Sequence, residues 1–181
     1  MKGLTVCSLG LLFLLAVACS GKKAEYITTL GQLKRTSDSI SFDMKKIDVK
    51  ELKGLLVQSG EGLAQMKQVI GNDTLGLEFA RLLENYYLAY RDLEGLDTEV
   101  QICKLGNELV MKRILLLEQD IDRDAGDRVD YEKNIRNETR ELTKIRNHSI
   151  ELKRRFDRAK SAIEQFQPEI ERYLQNVPSQ P

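Results

Sequence analysis

One long run of regularly spaced apolar residues limits what this chain can fold into. Apolar side chains recur at alternating steps of four and three through positions 75–121, and only Asn107 among them is polar. The stripe consists of Leu75, Phe79, Leu82, Tyr86, Ala89, Leu93, Leu96, Val100, Cys103, Asn107, Val110, Ile114, Leu117 and Ile121. This spacing is typical of a helix that buries one face against partner helices, so it predicts an α-helix over about 74–122.

A second stripe of the same kind follows. It consists of Ile135, Glu138, Leu142, Ile145, Ser149, Leu152, Phe156, Ala159, Ile163, Phe166, Ile170, Tyr173 and Val177. It predicts a helix over about 127–176, which Pro168 is expected to kink or end. The polar stretch 122–127 contains Gly126 and predicts a hairpin turn between the two helices. One continuous helix is the alternative because the heptad count stays in phase, but Asp124 and Arg128 at stripe positions disfavour it.

The N-terminal third carries a weaker stripe whose phase breaks near residue 48. Asp48 followed by Glu51 is typical of a helix cap, so we expect a kinked helix over about 26–70 and a turn at 71–74. Gly54, Gly60 and Gly62 weaken this region as a helix. The predicted fold is all-α: an elongated three-helix bundle, in which a kinked N-terminal helix lies beside an antiparallel coiled-coil hairpin. The alternative is a four-helix bundle, in which residues 26–70 form two antiparallel helices.

Additional apolar residues widen the middle stripe beyond what one partner helix needs. They are Leu83, Tyr87, Tyr90, Ile102, Leu105, Leu109, Leu115 and Leu116. We interpret them as a face covered by the third helix, with a partner protein or a homo-oligomer as the alternative. Residues 61–124 hold 13 acidic and 7 basic side chains, whereas residues 133–160 hold 10 basic and 4 acidic ones. Opposite charges on consecutive helices predict ion pairs between them.

The first 18 residues have the layout of an export signal. A positive start, Met1-Lys2, precedes an apolar run that ends in small residues and is shorter than the roughly 20 residues needed to span a bilayer. The sequence Leu15-Ala16-Val17-Ala18-Cys19 then resembles a bacterial lipobox. The alternatives are an ordinary signal peptide with an incidental Cys19 and an uncleaved anchor.

The lipobox resemblance implies removal of residues 1–18 and lipidation of Cys19, for example by palmitate, with residues 19–25 as a tether. The helical domain would then span 26–177 and a disordered tail 178–181. By the same resemblance, Ser20 after the cysteine implies the outer membrane of a Gram-negative bacterium. Because no acidic run follows, we expect the chain on the periplasmic face.

Few residues suggest chemistry. Asp120, Asp122 and Asp124 resemble the start of a calcium-binding EF-hand loop, but Ala125 and Tyr131 occupy the positions where that loop needs glycine and glutamate. These aspartates are therefore weak metal candidates, and we expect no metal site, catalytic residue or cofactor. Cys103, on the stripe, is expected to be a core residue. His148 is the single histidine, so no zinc-ligand pattern is present, and we place it at the surface or the edge of the seam.

The charge balance argues against nucleic acid as a partner, because Lys plus Arg and Asp plus Glu each number 28. We therefore expect a non-enzymatic helical lipoprotein that is attached to a membrane through its lipid. It would serve as an interaction or structural module of the bacterial envelope. The alternative is a helical bundle that binds a ligand, either a lipid or calcium at the Asp-rich turn.

Overall fold

The computed structural model describes the backbone of residues 4–70 and 76–176 and the side chains of residues 22–70 and 76–176. Within these ranges the chain is all-α and contains no strand, which confirms the predicted fold class. The helices are α1 (Leu4–Lys45), α2 (Val49–Ile70), α3 (Leu77–Leu93), α4 (Leu96–Asp122) and α5 (Arg128–Asn176). The predicted turn at 71–74 and tail at 178–181 lie outside the described residues.

The break between α1 and α2 lies where the sequence predicted a restart. The Asp48 carboxylate accepts hydrogen bonds from the backbone N–H of Lys50 at 2.8 Å and of Glu51 at 3.3 Å. These bonds satisfy two N–H groups of the first turn of α2, which have no partner inside the helix. The helix then continues through Gly54, Gly60 and Gly62 without interruption.

The prediction of one continuous helix over 74–122 is wrong. α3 ends at Leu93 and α4 begins at Leu96, and Gly95 between them has a φ of +72°, which favours glycine. Both Leu93 and Leu96 are nevertheless fully buried, so the stripe continues across the break. A heptad pattern reports which residues face the core and is insensitive to a short backbone break that keeps their phase.

A turn lies between α4 and α5 where the sequence predicted one, and it contradicts a single continuous helix. Asp124 and Gly126 both have positive φ, at 51° and 129°, and the N–H of Ala125 donates to the carbonyl of Asp120 at 2.9 Å. The Asp127 carboxylate then accepts the N–H of Val129 at 3.0 Å and caps the start of α5.

α1 continues through the predicted tether, and α5 continues through Pro168. α1 includes residues 22–25, which the sequence analysis assigned to a tether, because Lys22 and Lys23 continue the helix and pair with Glu132 and Asp124. Pro168 lies inside α5, which continues to Asn176 as predicted, so of the two effects expected of this proline the structure excludes an end of the helix. Its neighbours Phe166 and Ile170 remain half-buried and buried, respectively, so packing on this face continues past the proline.

The chain divides into two compact units. Unit 1 comprises Met1–Ile40 and Leu105–Arg146, and unit 2 comprises Ser41–Lys104 and Asn147–Pro181. In unit 1, α4 is antiparallel to α1, because Lys34 pairs with Glu118 and Ser37 with Asn107. α4 is also antiparallel to α5, through the turn at 123–127 and the pair Arg113–Glu138. The apolar core of unit 1 consists of Tyr26, Leu30, Leu33, Ile40, Val110, Ile114, Leu117, Ile121, Tyr131, Ile135 and Leu142.

In unit 2, α3 is antiparallel to both α2 and α5. The Tyr86 ring lies against Gly62 of α2, and its hydroxyl donates to the side-chain oxygen of Gln167 on α5. Phe79 of α3 stacks on Tyr173 of α5 with ring centroids 4.0 Å apart. The apolar core of unit 2 consists of Met44, Ile47, Leu52, Met66, Tyr86, Ala89, Leu93, Leu96, Val100, Cys103, Leu152, Phe156, Ala159, Ile163 and Ile170.

Candidate interaction surface

The outer side of α4 in unit 1 carries a row of exposed leucines. Leu105, Leu109 and Leu116 are 59%, 55% and 60% exposed, and their spacing of four and seven residues places them on one face of the helix. We call these three residues the α4 leucine face. The opposite side of the same helix holds the buried stripe residues Val110 and Ile114. α4 therefore presents apolar side chains on two sides, and the described residues of unit 1 cover one of them.

This finding corrects an expectation. The sequence predicted that the surplus apolar residues of the middle stripe would be covered by the third helix. Ile102, Leu105, Leu109, Leu115 and Leu116 are instead exposed, as is Tyr87, while Leu83 and Tyr90 are half-buried. A narrow stripe is enough to contact two neighbouring helices, so the flanking leucines point away from α1 and α5. An apolar face that the chain itself does not cover is a feature of surfaces that bind another molecule.

Charged side chains border the α4 leucine face. Glu108 and Lys112 are exposed and take part in none of the ion pairs found among the described residues. Arg113 donates from Nε to Oε1 of Glu138 at 2.8 Å, and this hydrogen bond raises the pKa of the guanidinium. Glu138 is buried, with 9% of the residue exposed. Its second carboxylate oxygen, Oε2, has no hydrogen-bond partner among the described residues. Arg113 is therefore held by a buried carboxylate while half of its side chain stays exposed.

The three aspartates of the Asp-rich turn do not converge on one point. Asp120, Asp122 and Asp124 are all exposed, and the carboxylate of Asp124 pairs with Lys23 at 3.3 Å. Lys23 also donates to the backbone carbonyl of Asp122 at 2.9 Å, so an ammonium group occupies the place beside these residues. Within the described residues, no three side chains of the types His, Cys, Asp and Glu form a group that could hold a metal ion.

The remaining candidate residues are in the positions expected of structural residues. Cys103 is buried, and burial raises the pKa of its thiol, which disfavours the reactive thiolate. Asn107 is buried on the seam and donates from its side-chain nitrogen to the carbonyl of Ser37 at 3.0 Å. His148 is exposed. The side chain of Cys19 lies outside the described residues.

Unit 2 contains a groove that sequence analysis did not identify. It lies between α3 and α5 and has a volume of about 730 Å³. Small side chains, Ala89, Ser161 and Ala162, line it together with Leu88 and Phe166, and the Arg158 guanidinium at its edge makes two hydrogen bonds to Asp92. The signal in the sequence is the pairing of small residues at 89 and 161–162, but nothing in the heptad pattern indicates that these positions meet.

Comparison with models of protein families, with curated protein sequences and with solved structures found no significant match to the chain. Across residues 22–70 and 76–176, no helix combines the length and the apolar character that crossing a bilayer requires.

Proposed function

We propose that this chain is a lipid-anchored helical protein of the bacterial envelope that acts as a non-enzymatic interaction or structural module. The sequence supports attachment through Cys19, since the residues before it resemble a lipobox. The same resemblance, through Ser20, favours the outer membrane, and the lack of an acidic run after Cys19 favours its periplasmic face. Each buried methylene of a lipid acyl group contributes about 0.8 kcal/mol, so several acyl groups would anchor the protein stably to the membrane.

The α4 leucine face is the observation that carries the interaction role. Leu105, Leu109 and Leu116 lie on a helix whose other side is already buried, so packing within unit 1 does not explain them. A chain that only needed a stable core would gain solubility from polar residues at these positions. A surface that contacts another molecule does explain them.

The position of Lys22 and Lys23 supports a close attachment. Lys22 pairs with Glu132 at 3.2 Å and Lys23 with Asp124, so α1 contacts the rest of unit 1 within four residues of the proposed lipidated cysteine. Both contacts are at the end of unit 1 where α4 stops and α5 starts. The lipid would therefore hold this end of unit 1 beside the membrane.

We also propose the arrangement of helices within each unit. The contacts of α4 with α1 and α5 in unit 1, and of α3 with α2 and α5 in unit 2, favour three antiparallel-packed helical segments per unit. This is the local form of the three-helix bundle that the heptad stripes predict. Distances between spin labels on the three segments of one unit would test it, and a segment separated from both others would contradict it.

Mass spectrometry of the full-length chain, expressed in a Gram-negative host and purified in detergent, tests the anchor. The expected product begins at Cys19, lacks residues 1–18 and carries the added mass of acyl chains on that residue. Cys19→Ala should accumulate as the uncleaved precursor, whereas the matched variant Cys7→Ala should be processed normally. A product that starts elsewhere, or that starts at Cys19 without added mass, would overturn the proposal.

A lipid-binding bundle is the second candidate, and the groove of about 730 Å³ in unit 2 favours it. Leu88, Ala162 and Phe166 in its mixed lining suit an acyl chain, and Arg91 suits an anionic end. This candidate can be tested with a Leu88→Cys variant. The labelling of its cysteine by a thiol reagent is measured while palmitate is added. Saturable protection favours it, and equal labelling with and without palmitate rejects it.

A further inference from the structure

We infer that the α4 leucine face is covered by a second copy of this chain, in a parallel two-fold pair of α4 helices. This inference rests on the proposed function, because lipid anchors confine the copies to one membrane and raise their effective concentration. It adds to that function the identity of the partner. The residues that carry it all lie in unit 1.

The spacing of the exposed residues is that of a second coiled-coil seam. Leu105 and Lys112 are seven residues apart, as are Leu109 and Leu116, and the two rows are offset by four. In a parallel pair of helices each of these residues faces its own counterpart. The exposed side of α4 therefore repeats the pattern that its buried side uses to pack inside unit 1.

The charges that border this seam are complementary in the parallel arrangement. Glu108 lies on one edge of the leucine face and Arg113 on the other, five residues further along. In a parallel coiled coil, residues with this separation on opposite edges meet across the interface. Two pairs form by symmetry, with Glu108 of each copy beside Arg113 of the other.

Arg113 is already prepared for such a contact. Its Nε donates to Glu138, which orients the guanidinium, while 49% of the side chain remains exposed. A guanidinium has five N–H donors in a fixed plane, so the groups beyond Nε can donate to a second carboxylate. Glu108 is exposed and forms none of the ion pairs among the described residues, so its carboxylate is available.

The tether selects the parallel over the antiparallel orientation. Lys23 contacts Asp122 and Asp124 at the C-terminal end of α4, so the lipid attachment of each copy lies near that end. A parallel pair brings both attachments to the same end and hence to one membrane surface. An antiparallel pair would place them at opposite ends of the paired helices.

Lys112 is the one charged residue within the seam, where it faces its counterpart. A single lysine inside a coiled-coil seam lowers the stability of the helix pair, and it favours one register and one number of helices. The pairing is therefore expected to be weak for free copies and to depend on the membrane. Lys112→Leu should strengthen it.

Disulfide crosslinking of the full-length chain in membranes of the expressing cells tests the inference. Leu109→Cys should form a disulfide dimer with a yield at least about tenfold above that of Val129→Cys, because only facing residues meet the distance that a disulfide requires. Val129 is a matched control, since it is apolar, 71% exposed and also in unit 1. Leu105→Cys should also crosslink with itself.

A charge variant separates specific pairing from random collision. Glu108→Arg places like charges together in both symmetric pairs, so it should lower the Leu109→Cys dimer yield by about fivefold. Asp130→Arg makes the same change in charge at another exposed position of unit 1 and should leave the yield unchanged. Circular dichroism of each variant checks that the helical fold persists.

Three results would overturn the inference. The first is a Leu109→Cys yield no higher than that of Val129→Cys, and the second is crosslinking of Leu109→Cys to a different protein. The third is a Leu105→Cys chain that crosslinks only to a Leu116→Cys chain, which would indicate an antiparallel pair. The N-terminal mass of the same samples is measured in parallel. If the chain is acylated but does not dimerise, the pairing is wrong and the anchor stands. If the chain dimerises without acylation, the anchor is wrong.

Discussion

The two units build their cores from different residues. The core of unit 1 is mostly Leu and Ile, interrupted by the buried polar residues Ser37, Asn107 and Glu138. The core of unit 2 also buries two serines, Ser59 and Ser149, but it combines large and small residues, as where Tyr86 packs on Gly62. A uniform Leu and Ile seam fits together in more than one register, so polar pairs are needed to select one. Where a large ring must meet a glycine, the match of size itself fixes the register. Unit 2 is therefore expected to respond most to changes of volume, and unit 1 to the loss of a polar partner.

The largest effect is expected for Tyr86→Ala in unit 2. Tyr86 is fully buried, and removing a buried aromatic ring costs about 3–5 kcal/mol of unfolding free energy because a cavity remains. Urea unfolding followed by circular dichroism measures the loss. Tyr87→Ala, at an exposed neighbour on the same helix, should change the free energy of unfolding by less than about 0.5 kcal/mol. Equal effects of the two variants would contradict the role of ring packing in unit 2.

A dependence on alkaline pH should follow from the same residue. Burial raises the pKa of Tyr86 to about 12, above the value of about 10 in the unfolded chain. A raised folded-state pKa means that the stability is fully present below pH 10 and is lost as pH rises from about 10 to 12. The shift corresponds to about 2–3 kcal/mol, and Tyr86→Phe should remove this part of the pH dependence. Urea midpoints at pH 8 and pH 11 in both proteins provide the measurement, and an identical decline would reject the assignment.

Unit 1 should respond to the loss of the exposed partner of its buried carboxylate, Glu138. Arg113→Met leaves the buried Glu138 carboxylate without its hydrogen bond and should cost about 1–3 kcal/mol. Glu138→Leu removes the buried charge and should be close to neutral or stabilising. Lys144→Met breaks the exposed pair with Glu141 and should cost less than about 0.5 kcal/mol. Denaturant unfolding compares the three, and a Glu138→Leu variant less stable than Arg113→Met would contradict this order.

The smallest effects should distinguish two glycines of α2. Gly54 has no atom within 4 Å of an added Cβ, so Gly54→Ala should stabilise the helix by about 1 kcal/mol. At Gly62 an added Cβ would lie 3.1 Å from the Tyr86 hydroxyl, which Gln167 holds in place. At Gly62 this clash should outweigh the higher helix propensity of alanine, so Gly62→Ala should destabilise the chain by about 1 kcal/mol. Thermal unfolding of both variants would show opposite shifts, and a stabilised Gly62→Ala would indicate that Tyr86 moves freely.

Most helices were predictable because their heptad stripes report one buried face directly. Ile114, Leu117 and Ile121 are buried as predicted, and so are Leu152 and Ile163 on the second stripe. The caps at Asp48 and Asp127 were also predictable, since a carboxylate at a helix start satisfies N–H groups within three residues. The break at Gly95 was not, because the stripe keeps its phase across it and a glycine is tolerated within a helix.

The candidate surface was only half predictable. The sequence identified Leu105, Leu109 and Leu116 as surplus apolar residues, but placed them against the third helix. Which side of a widened stripe is covered depends on the angle at which neighbouring helices approach, and that angle is a property of the packed units. The glycines at 60 and 62 are similar: in sequence they weaken a helix, and in the fold they make room for Tyr90 and Tyr86.

The sequence by itself therefore determined the helical class, the turn between α4 and α5 and the residues of the two seams. Each of these depends on local periodicity or on capping within a few residues. The tertiary structure decided that Gly62 receives a tyrosine ring, that Arg113 is held by a buried glutamate and that the leucines of α4 stay exposed. Those features depend on which side chains meet across helices, and residues far apart in sequence come together only when the helices pack.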